Sequence, residues 1–155
     1  MDQQRLRELL QYDPQTGVFK WLATHRVGKV AGAPCKGYVV IKIEQKKYYA
    51  HKLAWLFVFG YIPKILDHIN LDKSDNRIAN LRVADHASNL ANSRVRRHNQ
   101  TGIKGVGTTR NGRYRALISF KGKSYHLGTF DTAEEAHEVY TKKAAELYGA
   151  FARSK

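Results

Sequence analysis

Four side chains in the middle of the chain are suited to hydrolytic chemistry: the adjacent pair Asp67 and His68, then Asn80, then Asn89. A neutral imidazole, with an ordinary pKa of about 6.5, can take a proton from water at physiological pH when a hydrogen bond to its other nitrogen fixes the ring. Asp67 and Asn89 bring oxygen atoms, and oxygen donors favour hard cations such as Mg²⁺ or Mn²⁺ over Zn²⁺. An Asp-His pair alone is common in structural turns. The frame gives this one its weight: an apolar segment before it, L-D-H-I-N running into an Asn/Asp-rich stretch, N-R-I-A-N-L-R returning to apolar residues, and Asn89 further along the chain. His86, one helical turn before Asn89, competes with it as a ligand candidate.

The elements that must position these residues can be read from periodicity and turn chemistry. Residues 3–11 present Leu6, Leu9 and Leu10 on one helical face and stop at the turn D-P-Q-T-G (13–17), after which Val18–Leu22 reads as a short strand. Tyr38–Glu44 and Lys46–Ala50 read as a β-hairpin turning at Glu44 and Gln45. Residues 51–60 (HKLAWLFVFG) are apolar nearly all round, as in a buried helix ended by Gly60 and Pro63. Residues 67–80 are expected to form a structured loop and 84–92 a short helix. The segment 94–101 is basic and aperiodic, the pattern of a linker lying along a phosphate backbone.

The last third changes character. Val106–Arg110, Tyr114–Phe120 and Ser124–Leu127 are three short strands separated by Asn111-Gly112 and Lys121-Gly122, both strong hairpin signals. Thr132 and Glu135 form a capping box for a helix whose Ala136, Val139, Tyr140, Ala144 and Leu147 share one face. Alternation places Tyr114, Ala116 and Ile118, with Tyr125 and Leu127, beneath that helix. Arg113, Arg115, Leu117, Ser119, Ser124 and His126 are left on the open face.

Composition restricts the partners. The 155 residues include 27 Lys plus Arg against 13 Asp plus Glu, a net charge of +14. No acidic residue occurs between Asp85 and Asp131, where Arg94, Arg96, Arg97, Lys104, Arg110, Arg113 and Arg115 lie. Such a field points to a polyanion, nucleic acid before membrane. The longest apolar run, Leu53–Ile62, is about half of a bilayer span. Charged residues among the first twenty speak against a secretory signal, so a cytoplasmic location is expected. Cys35, alone, offers neither a disulfide nor a thiolate zinc site and is expected to be a small inert hydrophobe.

Residues 46–93 resemble the HNH endonuclease family, in its phage and intron homing branch. The resemblance implies a ββα-metal core that hydrolyses phosphodiesters in duplex DNA, with His68 as general base, Asn80 orienting it, and Asp67 and Asn89 as metal ligands. Asp and Asn at the first and last positions, where other branches carry His, point to one divalent cation, Mg²⁺ ahead of Mn²⁺. Products with 5′-phosphate and 3′-hydroxyl ends are implied as well. His51 either touches phosphate or caps the core.

From Gly102 to about Phe151 the chain resembles the AP2 domain, through K-G-V at Lys104, G-R-Y-R-A at Gly112 and H-L-G-T-F-D-T-A-E-E-A at His126. That resemblance implies a sheet lying in the major groove. Arg94, Arg96, Arg97, Lys104, Arg110, Arg113 and Arg115 are then the candidate DNA contacts. Gly107 and Thr109 replace arginines that plant members use to read bases, so no target sequence transfers.

The expected architecture is α+β: a nuclease domain (1–93), a basic linker (94–101) and a three-stranded antiparallel sheet with one helix (102–155). Two rivals stand beside it. A non-cleaving DNA-binding regulator is disfavoured by the four filled positions, and an RNA-binding or structural protein by the lack of an aromatic stacking platform on the sheet.

Overall fold

The computed structural model describes residues 1–85, 92–93, 95 and 98–152. Residues 86–91 of the helix expected at 84–92, with His86 and Asn89, and the three linker arginines Arg94, Arg96 and Arg97 fall outside those residues. The chain forms two compact units, Met1–Val83 and Ala84–Lys155, dividing ahead of the 93/94 point read from the sequence.

In the first unit, helix α1 (Gln3–Leu9) opens at Asp2, whose carboxylate accepts the Arg5 N–H, and buries Leu6 and Leu9. The leucine spacing predicts helix to residue 11, but Leu10–Tyr12 is strand β1, antiparallel to β2 (Phe19–Trp21). Leu10 and Tyr12 are buried with Gln11 exposed, and the same period of two in Phe19 and Trp21 supplies the partner strand. Strands β3 (Ala33–Cys35), β4 (Tyr38–Ile43) and β5 (Lys46–Tyr49) form an antiparallel sheet in that order. The expected β4–β5 hairpin is present, turning through Glu44 and Gln45 at φ +48° and +68°, the left-handed pair that matches strand twist. Cys35, on the added strand β3, is exposed rather than packed as a hydrophobe. Helix α2 (Ala50–Phe59) ends at Gly60 in the left-handed conformation and buries Leu53, Ala54 and Leu56 in a core shared with Leu6, Leu10, Phe19, Ile41 and Ile43.

After α2 the chain makes a two-stranded ribbon, β6 (Leu66–His68) with β7 (Leu81–Val83), so that residues 67 and 68 of the loop expected at 67–80 are strand. Ile78–Asn80 form a single 3-10 turn at its end. Three-residue strands surrounded by Asn and Asp have no periodicity to betray them.

The second unit contains β8 (Val106–Thr108), β9 (Tyr114–Phe120) and β10 (Lys123–Phe130), ordered β10-β9-β8 and antiparallel. Helix α3 (Ala133–Tyr148) begins with the Thr132/Glu135 capping box and packs on Val106, Ala116 and Ile118 through Ala136, Tyr140 and Ala144. β10 runs further than expected and shifts register between His126 and Gly128. Tyr125, expected beneath the helix, sits opposite Ile118 yet is 44% exposed. Among the described residues no helix is long and apolar enough to cross a membrane.

Gly17 joins the first turn to the later loop. Its φ is +71°, and a Cβ there would stand 2.5 Å from the Arg77 backbone nitrogen and 2.6 Å from the Asn76 carbonyl carbon. Gly17→Ala is therefore expected to destabilise the first unit by at least about 2 kcal/mol. An unchanged urea midpoint would refute the close approach.

Candidate active site

Two adjacent residues of β6 define the site. Consecutive strand residues leave on opposite faces, and the register Asp67↔Arg82, His68↔Leu81 assigns each a cross-strand neighbour. On one face the Asp67 carboxylate accepts from Arg82 through Nε and lies 3.1 Å from its Nη2, both side chains largely buried. On the other face the His68 ring, 5% exposed, meets His51 edge-on at 4.9 Å between centroids, with Tyr38 at 6.1 Å.

Burial pushes the His68 imidazole below its ordinary pKa, while the Asn76 carboxamide and the charges of Asp67, Asp75 and Asp72 act in the opposite sense. The resting ring is neutral and can accept a proton. His51, at the start of α2, is held further down, to about 3, first by burial and then by the neighbouring His68 and Lys52. Its Nδ1 has no hydrogen-bond partner among the described residues. Of the two roles left open for His51, neither is excluded by this position, since it belongs to the site and to the core edge together.

Asn80 does not act as its residue type suggests. Its carboxamide oxygen accepts the Asn70 N–H and its Nδ2 donates to the Asp75 carbonyl, so the expected acceptance of a ring N–H from His68 is not made. Its own carbonyl accepts the Ile69 N–H. Asn80 is 8% exposed and closes the loop immediately behind His68. Asn76, in the same loop, is 3% exposed, donates from Nδ2 to the Ser74 carbonyl and accepts the Tyr12 hydroxyl at its backbone oxygen. Asp75, held at about 2 chiefly by the Arg77 guanidinium, also accepts from Asn70. Asn76 and Arg82 were missed in the sequence because both need the ribbon register and the loop closure. D-N-R at 75–77 was the available signal for Asn76, and nothing local marked Arg82.

Among the described residues no three His, Cys, Asp or Glu side chains converge as a metal cluster. The carboxylate adjacent to His68 on β6 is Asp67. That donor fits a hard divalent cation held by one or two protein oxygens, water and substrate phosphate better than it fits an all-protein cage.

In the second unit Arg110, Arg113 and Arg115 are exposed. Arg113 Nε lies 2.7 Å from Asp131, so this face is not free of acidic balance as composition suggests. Exposed pairs of that kind contribute little and yield readily to a competing anion. Lys104 donates to the Ser93 carbonyl, and Arg115 faces Gly107 across the β8–β9 pair.

Residues 48–91 match the HNH endonuclease family. The chain is 31% identical over 99 residues to an uncharacterized HNH endonuclease of Acanthamoeba polyphaga mimivirus, an alignment covering 63% of this chain and 51% of that protein. It is 29% identical over 106 residues to Protein 3.8 of Escherichia phage T7, covering 66% and 87% respectively. The chain thus spans about half the length of the first relative. No solved structure matches it. The residues that match the HNH endonuclease family include Asp67, His68, Asn76, Asn80 and Arg82, and the sheet-and-helix unit lies beyond them.

The geometry sets two expected outcomes. Arg82→Ala strips the carboxylate of a buried cationic partner and should lower stability by about 3 kcal/mol, read from chemical denaturation; a change within a few tenths of a kcal/mol would refute the pairing. His51 is neutral when folded, and the unfolded state takes up its proton below about 6.5 whereas the folded state does so only near 3. Its contribution to stability is therefore complete above about 6.5 and declines as pH falls toward 3. His51→Phe should flatten the pH dependence of the melting temperature within that window and leave it unchanged above.

Proposed function

We propose that the protein is a metal-dependent endonuclease that hydrolyses phosphodiester bonds in duplex DNA, of the homing type, with its second unit anchoring it on the substrate. The observation that carries this reading is His68: a neutral, desolvated imidazole on β6 beside a buried carboxylate, within residues that match the HNH family.

His68 takes the proton from the attacking water, and burial keeps the ring unprotonated before that step. The Asn76 carboxamide then favours the charged form of the ring once the proton has arrived. Asn80 contributes by closing the loop behind His68, through Asn70 and Asp75. Asp67 and Asn89 would hold the divalent cation, Mg²⁺ or Mn²⁺, with Asn89 outside the described residues. When bound, such a cation supplies charge stabilisation at the phosphate and the departing 3′ oxygen. Arg82 fixes the orientation of the Asp67 carboxylate.

The second unit supports the binding half of the proposal. A three-stranded sheet is backed on one face by α3 and carries Arg113, Arg115, Ser119, Ser124 and His126 on the other, the disposition that the AP2 resemblance implies. Lys104 and Arg110 add basic charge within the described residues, and Arg94, Arg96 and Arg97 add it in the sequence outside them. A tethered binding unit raises the local concentration of DNA at the cutter.

The test is conversion of supercoiled plasmid, and of host DNA, by wild type and His68→Ala with Mg²⁺ or EDTA. Wild type with metal should cut, and His68→Ala should lose at least about a hundredfold in rate while still binding duplex. Cleavage that survives both His68→Ala and EDTA refutes the mechanism. Undiminished duplex binding without cleavage of any DNA would favour the regulator.

A further inference from the structure

The outer face of the β3–β4–β5 sheet, in the first unit, takes no part in the proposed mechanism, which places DNA contacts in the linker and the second unit. Ile41 and Ile43 point into the core, so Tyr38, Val40 and Lys42 point out, and the register sets Tyr49 opposite Val40 and Lys47 opposite Lys42. Two like charges directly opposite on one face repel and weaken the pairing. Glu44, the acid nearest them in the hairpin, is bound to Arg5 at 2.7 Å, and neither lysine has an ion-pair partner among the described residues. A hairpin that keeps Lys42 and Lys47 in this position is shaped to meet an anion.

The same face leads to the site. Tyr49, 46% exposed, packs on Tyr38 at 5.0 Å between centroids. Tyr38 in turn packs on His51 at 5.4 Å and His68 at 6.1 Å. Lys73, from loop 69–80, places Nζ 4.8 Å from the Tyr38 ring centre, and its stem passes by Gly37 in the β3–β4 turn. At the inner end lies His51 Nδ1, buried and without a partner among the described residues. Lys42 to Tyr38 spans about 14 Å of strand, equivalent to about four steps of duplex at 3.4 Å each.

We propose that this face, formed by Lys42, Lys47, Tyr49, Tyr38 and Lys73, is a DNA-binding site that carries the backbone of duplex DNA onto His68. The lysines neutralise phosphates on the approach, and the two tyrosines pack against sugars and base edges next to the scissile bond. The inference rests on the nuclease reading of the same site, and supplies a substrate contact independent of the second unit.

The experiment uses the full chain in a His68→Ala background, with a fluorescein-labelled duplex of mixed sequence, and tracks affinity against salt. Lys42→Ala/Lys47→Ala should weaken binding several-fold at low salt and reduce the slope of log K against log salt by about 2. Its melting temperature should be equal or higher, because the repulsion is gone. Tyr49→Ala should weaken binding while Tyr49→Phe retains it. Unchanged affinity and slope in the lysine variant, at an unchanged melting temperature, overturn the proposal, as does displacement by single-stranded RNA in preference to unlabelled duplex. If the parent chain with Mg²⁺ cuts plasmid and the slope does not move, this face is excluded and the nuclease stands. If the parent cuts nothing while the slope falls, the face stands and the nuclease reading fails.

Discussion

Everything at the site depends on the register of the β6–β7 ribbon. Asp67 opposite Arg82 and His68 opposite Leu81 leave a carboxylate paired on one side and an imidazole packed on the other. A slip of one residue would exchange the faces, leaving Asp67 without its guanidinium and the ring in water. Three-residue strands cannot enforce such a register themselves. It is enforced by the loop they bound, whose Asn70, Asp75 and Asn80 satisfy one another's backbone and side-chain groups while Asn76 donates to the Ser74 carbonyl. The Asn/Asp richness of residues 67–80 is thus a hydrogen-bonding scaffold, with the chemistry confined to its edge.

Much of this was legible in the residues, unevenly. Gly60, the capping box at Thr132 and Lys121-Gly122 each have a local physical reason to end, start or turn an element, and each does so. Asp67 and His68 stood out because of their frame, an apolar segment before L-D-H-I-N and the return to apolar residues at N-R-I-A-N-L-R. Partners distant in the chain were not legible: Arg82 for Asp67, Tyr12 for the Asn76 backbone and His51 for His68 are set by register and packing. Asn80 shows the limit of residue type as a guide, since an amide competent to hold an imidazole serves the backbone instead. Leu10 and Tyr125 were misplaced for related reasons: a helical spacing that tertiary pairing overrode, and a strand whose register shift altered what the helix covers.

The two units manage polarity by different means. The first buries imidazoles, a carboxylate and two carboxamides at the edge of an aromatic core and satisfies most of them locally. The second keeps its charges exposed and its core small, with Tyr140 packed so closely on Gly105 that no Cβ fits there. Buried groups have shifted pKa values, as His51 and His68 do, whereas exposed cations remain accessible to an anion.

The Tyr12 hydroxyl binds the Asn76 carbonyl across 64 residues of chain. Protein synthesis is vectorial, so β1 leaves the ribosome long before the residue it must clamp, and loop 69–80 can be locked only after most of the first unit has emerged. The pairings β8–β9 and β9–β10 join sequence neighbours, which close quickly and with little loop entropy. The arrangement around His68 is therefore among the last features of the first unit to form, because its clamp needs both ends of that unit.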